Sequence, residues 1–244
     1  MLDKIKKFHG DKIIKDTVIL LVLIVLVFIF FKNSITNLEK IKLEEKSYEI
    51  SDYFDELTNN EKSNYFNFAI EYLYNTKAKE EFTIREILDV INSNFDVAYT
   101  EKDILDLGTT GDMVNRGVMY DGALNGYKYL NDVTPTDIAN KAITYFKIKK
   151  ISKINENKFK IIYDRYILEN PYEVLNYYND YNIQHEDDRI DTTVVIDYLK
   201  GNKKIGEFKK IVREETKTSF GKKNGTIEVT YIIKNNKLLV EKIK

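Results

Sequence analysis

The chain has 244 residues, 32% of them charged and 43% hydrophobic, with 38 basic and 39 acidic side chains and a net charge of −1. A nearly neutral chain carries no overall electrostatic footprint for nucleic acid, so no nucleic-acid partner is expected. Cysteine is absent, which excludes disulfides, thiol catalysis and thiolate metal sites; His9 and His185 are the two histidines, so no metal and no cofactor is expected.

Residues 1–16 read as a cytoplasmic tail containing Lys4, Lys6, Lys7, Lys12 and Lys15. The stretch from Thr17 to Phe31, TVILLVLIVLVFIFF, has no charge and is bracketed by Lys15 and Lys32. Fifteen residues at ~1.5 Å rise cover about 22 Å, short of the roughly 30 Å of a hydrocarbon core. Ile13, Ile14 and snorkelling lysines narrow that gap. A transmembrane anchor over residues 17–32 is therefore expected, with the lipid bilayer as a partner. A cleaved signal peptide would need small residues before the cleavage site, and Phe31-Lys32-Asn33 supplies none. The lysine bias places the tail in the cytoplasm and the C-terminal bulk outside the cell.

Residues 33–57 read as a stalk or first helix, with Leu43, Ile50 and Leu57 seven apart; a helix laid on its own domain fits better than a coiled coil. Self-association is an additional expectation. Residues 58–147 form a helical region. Thr58 to Glu61 has the spacing of a capping box, and a helix to about Tyr74 follows. Three further helix starts repeat one device, an apolar residue, a threonine cap, an acid three positions on and an isoleucine next: Phe82-Thr83 with Glu86-Ile87, Tyr99-Thr100 with Asp103-Ile104, and Val133-Thr134 with Asp137-Ile138. The glycine-rich run from Gly108 to Gly126 matches no phosphate-binding pattern and reads as a loop with one short helix entered through Thr109 to Asp112. Asp112, Asn115, Arg116 and Asp121 are its candidate functional side chains.

From Ile148 to the end, residues 148–244, the period changes to two. Phe159, Ile161 and Tyr163, then Val194, Ile196 and Tyr198, then Ile205, Lys209 and Ile211, then Ile227, Val229 and Tyr231 read as strand faces. Asn155-Glu156-Asn157, Lys200-Gly201-Asn202 and Asn235-Asn236-Lys237 read as hairpin turns. The expected fold is α+β: a single N-terminal transmembrane helix, a helical region, and a curved antiparallel sheet of five or six strands with helices packed on one face. Residues 58–244 read as one domain.

The last two predicted hairpins, TTVVIDYLKGNKKIGEFKKIVREE and GTIEVTYIIKNNKLLVEKIK, resemble the closing strands of the nuclear-transport-factor-2-like fold. Membrane-anchored versions resemble the scaffold subunit of type IV secretion and conjugation systems. The resemblance covers about Thr134 to Lys244, and Leu238 stands where many members carry an aromatic. It implies a scaffold with protein partners in a membrane assembly.

Asn170-Pro171 opens a helix bearing Tyr172, Tyr177, Tyr178 and Tyr181 with Asn179 among its asparagines, a composition favoured at recognition surfaces. These five are the candidate partner contacts. His185 to Asp188 with Asp191 lacks the spacing of a calcium loop and reads as a solvated acidic loop. The leading reading is a non-enzymatic extracytoplasmic scaffold; the alternative is a surface-anchored enzyme or small-ligand binder using a cone-shaped pocket lined by Tyr163, Asp164 or Arg165.

Overall fold

The computed structural model describes residues 17–27, 37–53, 62–77, 79–108, 118–129, 141–201, 205–216 and 218–244. Residues 17–27 form a helix, α1, whose Val18 to Val27 side chains are all exposed. Among the described residues no helix is long and apolar enough to cross a membrane, which overturns the expected transmembrane anchor. Thr17 lies in α1, whereas Lys15, Phe31 and Lys32 lie outside the described residues.

Helix α2 (Asn37–Ser51) buries Leu43, Ser47 and Ile50, three to four positions apart, on the body of the protein, as expected of a helix laid on its own domain. Helix α3 (Lys62–Lys77) follows, burying Tyr65, Phe66, Phe68, Ala69 and Leu73; its predicted cap at Thr58 lies outside the described residues. Strand β1 (Glu81–Thr83) leads into α4 (Ile84–Asn94), where Thr83 caps as the sequence implies. Its hydroxyl accepts from the Glu86 amide at 3.2 Å and the Glu86 carboxylate accepts from the Thr83 amide at 3.1 Å. Helix α5 (Glu101–Gly108) starts similarly, with the Asp103 carboxylate accepting from the Thr100 amide at 3.0 Å. The third start, at Pro135, lies outside the described residues.

Part of the glycine-rich run is a hairpin rather than a loop. Strands β2 (Val118–Asp121) and β3 (Gly126–Tyr129) pair antiparallel, and β3 also pairs β1, giving the order β1-β3-β2. Gly126 permits that approach: a Cβ there would lie 2.1 Å from the Phe82 carbonyl oxygen.

The larger sheet is an antiparallel meander of four strands, β4 (Ile143–Asn155), β5 (Lys158–Leu168), β6 (Lys222–Lys234) and β7 (Lys237–Ile243), in sequence order. Asn235 and Asn236, at φ 51° and 60°, make the left-handed two-residue turn between β6 and β7. Between β5 and β6 the chain forms three helices, α6 (Tyr172–Gln184), α7 (Thr193–Leu199) and α8 (Ile205–Glu214). Two expected strands are therefore corrected to helices. Val195, Tyr198 and Leu199 are the buried residues of α7, and Phe208, Lys209 and Val212 those of α8, both at helical spacing; the alternation 194, 196, 198 follows a weaker pattern in the same letters. Gly201, at φ 85°, ends α7 in the left-handed conformation and donates its amide to the Tyr198 carbonyl.

The helices also lie on both faces of the sheet, not one. Tyr145 and Phe146 are adjacent in β4 and so point to opposite faces. Phe146, with Phe159, Ile161, Tyr163, Val229 and Tyr231, belongs to the core shared with α2, α3 and α4. Tyr145, with Ile143 and Leu168, belongs to a second core under α6, α7 and α8.

Candidate interaction surface

Helix α6 is set by local chemistry at both ends. The Asn170 side-chain oxygen accepts from the Tyr172 amide at 3.1 Å, and Pro171, at φ −59° and ψ −22°, needs no amide partner at the helix entry. At the other end the His185 amide donates to the Tyr181 carbonyl, and the ring of His185 stacks on Tyr181 at 4.0 Å. The Tyr181 hydroxyl donates to Asp188 at 2.8 Å. Asn182 holds both the amide and the carbonyl of Ile190, at 2.7 and 2.9 Å, folding the acidic loop back on the helix.

The inner face of α6 is core. Val174 and Tyr178 are buried, and Tyr177 and Tyr178 pack edge-on against Phe220, with centroids at 5.4 and 6.0 Å. Burial, then the neighbouring Glu215 carboxylate, pushes the Tyr178 hydroxyl well above its ordinary pKa. The outer face carries Tyr172, Asn176, Asn179 and Ile183, at spacings of four, three and four, so they form one stripe along the helix. Tyr172 is 41% exposed and Ile183 74% exposed. Glu173, Asp180, Glu186 and Asp187 flank the stripe in solvent, and Arg189 is the one lysine or arginine between Glu169 and Asp191.

The five predicted contacts thus divide. Tyr172 and Asn179 lie on the open stripe, Tyr181 is tied to the loop, and Tyr177 and Tyr178 serve the second core. Alanine at Tyr177 and Tyr178 would therefore unsettle the fold, contrary to the sequence-based expectation. Ile183 was missed. Its signal was present, since it falls off the inner face defined by Val174 and Tyr178 on a helical projection.

The other candidates do not converge. Asp112, Asn115 and Arg116 lie outside the described residues. Asp121 holds the β2–β3 turn, accepting from the amides of Ala123 at 2.9 Å and Leu124 at 3.3 Å. Tyr163 is fully buried and its hydroxyl shares a hydrogen bond with that of Tyr231 at 2.7 Å, while Asp164 beside it bonds Lys223 and Thr226 near the surface. Residues 163 and 164 face opposite sides of β5, so they cannot line one pocket. Among the described residues no group of three histidine, cysteine or acidic side chains is arranged to hold a metal ion.

A buried polar junction ties the two helical layers around the β4 edge. Asp52, just after α2, receives a two-pronged bond from Arg213 of α8, at 2.6 and 3.2 Å, and its carbonyl accepts from the buried Lys209 ammonium at 2.8 Å. The Arg213 guanidinium lies 3.7 Å over the Tyr48 ring, whose hydroxyl accepts from the Ile148 amide of β4 at 2.8 Å. Burial raises the Asp52 carboxyl above its ordinary range, against the attraction of Arg213 and Lys209. These groups are used up in packing and leave no face for a substrate.

Comparison with protein-family models, with characterised proteins and with solved structures finds no match.

Proposed function

We propose that the chain is a scaffold or interaction module that engages a protein partner through the outer stripe of α6. The observation that carries the reading is Ile183: a large aliphatic side chain three-quarters exposed, in line with Tyr172 and two amide side chains, on a helix whose opposite face is fully packed. The exposed carboxylates around the stripe make a basic protein surface the complementary partner. A secretion or conjugation assembly is the proposed setting, on the resemblance of the closing hairpin, β6 and β7, to the closing strands of the nuclear-transport-factor-2-like fold. A chain without cysteine also suits an extracytoplasmic compartment.

The reading is tested by placing a photo-crosslinking residue at Asn179 and comparing the wild-type background with Ile183→Asp. One discrete adduct is expected, weakened by raised salt and lost with Ile183→Asp, while thermal stability stays within about 0.5 kcal/mol, as for an exposed site. Unchanged adduct yield in the Ile183→Asp background would remove α6 as the contact. Tyr178→Ala serves as the contrast, with a loss of about 3–5 kcal/mol of stability from the emptied core.

A further inference from the structure

The chain contains two Asn-Gly dipeptides, Asn125-Gly126 and Asn224-Gly225, and both asparagines are exposed. Their backbones are held very differently. Asn125 donates its amide to the Gly122 carbonyl at 3.4 Å and accepts from the Ile84 amide at 3.2 Å, while its side-chain oxygen accepts from the Tyr120 hydroxyl at 3.4 Å. Gly126 is in register with Thr83 on one side and Asp121 on the other. Asn224 and Gly225, in contrast, sit in the irregularity of β6: the register with β5 passes from Thr226 opposite Asp164 to Lys223 opposite Tyr166, leaving the two residues between without a partner in register. On the other side, β7 pairs β6 only from Val229 onward, with Glu228 bonded to Lys244. Gly225 stands at φ 95°, and a Cβ built on it would meet nothing within 4 Å.

We infer that Asn224 is a self-modifying site, at which the bulged Asn224-Gly225 backbone converts the side-chain amide to an acid faster than does Asn125-Gly126, whose backbone is hydrogen-bonded where the turn enters β3. The Gly225 amide nitrogen attacks the Asn224 side-chain carbonyl carbon. A carbon–nitrogen bond forms, the side-chain carbon–nitrogen bond breaks, and the leaving nitrogen departs as ammonia with the proton from Gly225. Water then opens the five-membered imide at either carbonyl, giving aspartate or the isomer whose backbone runs through the former side chain. The step needs room for the glycine nitrogen to turn toward the side chain, which a bulge out of register offers and a strand end in register on both sides does not. The new carboxylate arises next to Lys223, which pairs with Asp164 at 2.8 Å, so it competes for that lysine at the sheet end nearest Phe220 and the second core.

The test incubates the folded full chain in mildly alkaline buffer and follows each Asn-Gly peptide by mass spectrometry, with enzymatic methyl labelling of isoaspartate as a second readout. Asn224 is expected to convert at least about tenfold faster than Asn125, and in concentrated urea the two rates should converge. Asn224→Gln should remove the label from the peptide containing position 224. Equal rates at the two sites in the folded chain would overturn the proposal, as would an Asn224 amide that persists while it converts in urea.

Discussion

Single side chains in this protein decide more by what they leave unpaired than by what they add. Asp52 and Arg213 are each almost fully buried, so removing one partner strands the other charge. Asp52→Ala is expected to cost about 3–5 kcal/mol of stability. Replacing Asp52 and Arg213 together with apolar residues of similar volume should cost less than Asp52→Ala alone, because no guanidinium is then left buried without its carboxylate. Chemical denaturation of the two single variants and the double variant measures this coupling. The junction was not legible in the sequence. Lys209 reads as part of a strand face with Ile205 and Ile211, and nothing local announces that the residue is 1% exposed with its ammonium bonded to a backbone oxygen 157 positions earlier.

At the scale of the element, capping was the most transferable signal. Thr83 forms both bonds its spacing implies, and Asp103 accepts from the amide and hydroxyl of Thr100, because these are contacts between residues three apart and need no tertiary context. Thr83→Ala should cost about 1 kcal/mol. Glu86 adds a pH dependence. Burial raises its carboxyl, but bonds from Lys79 and Thr83 outweigh that and hold it below the ordinary value. A depressed carboxylate contributes stability that is present above its unfolded pKa and lost as pH falls through the folded one. Stability of wild type is therefore expected to decline on acidification by more than that of Glu86→Gln, measured as denaturation midpoints over a pH series. Where the sequence misled was in α7 and α8. A helix of seven residues presents two or three buried positions, and at that length spacings of two and of four share letters. The left-handed Gly201 was recognised as a turn, but a turn that ends a helix looks the same as one that joins two strands.

For the whole molecule, the helices-then-sheet order was readable, whereas the placement of helices on both faces was not. Face assignment depends on which neighbour covers a strand, and β4 is apolar at Ile143, Tyr145 and Phe146 alike, so alternation is lost where both faces are buried. Of the candidate contact surface, Tyr172 and Asn179 could be found from composition, and Ile183 required knowing which side of α6 is packed. Because β4 contributes to both cores and the Asp52–Arg213 junction joins the layers, the folded body is expected to unfold as one unit. Far-ultraviolet circular dichroism and tyrosine fluorescence should give coincident transitions; separated midpoints would show two independent units.

Tyr48 carries a consequence for how copies of this chain meet in a crowded solution. Strand β4 is the outermost of the larger sheet, and an outer strand offers its amides as a template on which another chain can add a strand. The Tyr48 hydroxyl already occupies the Ile148 amide, at the point where the β4–β5 register slips, and its ring is pinned by the Arg213 guanidinium. The same side chain that joins the two helical layers thus blocks strand addition at Ile148, with a contact the fold already requires.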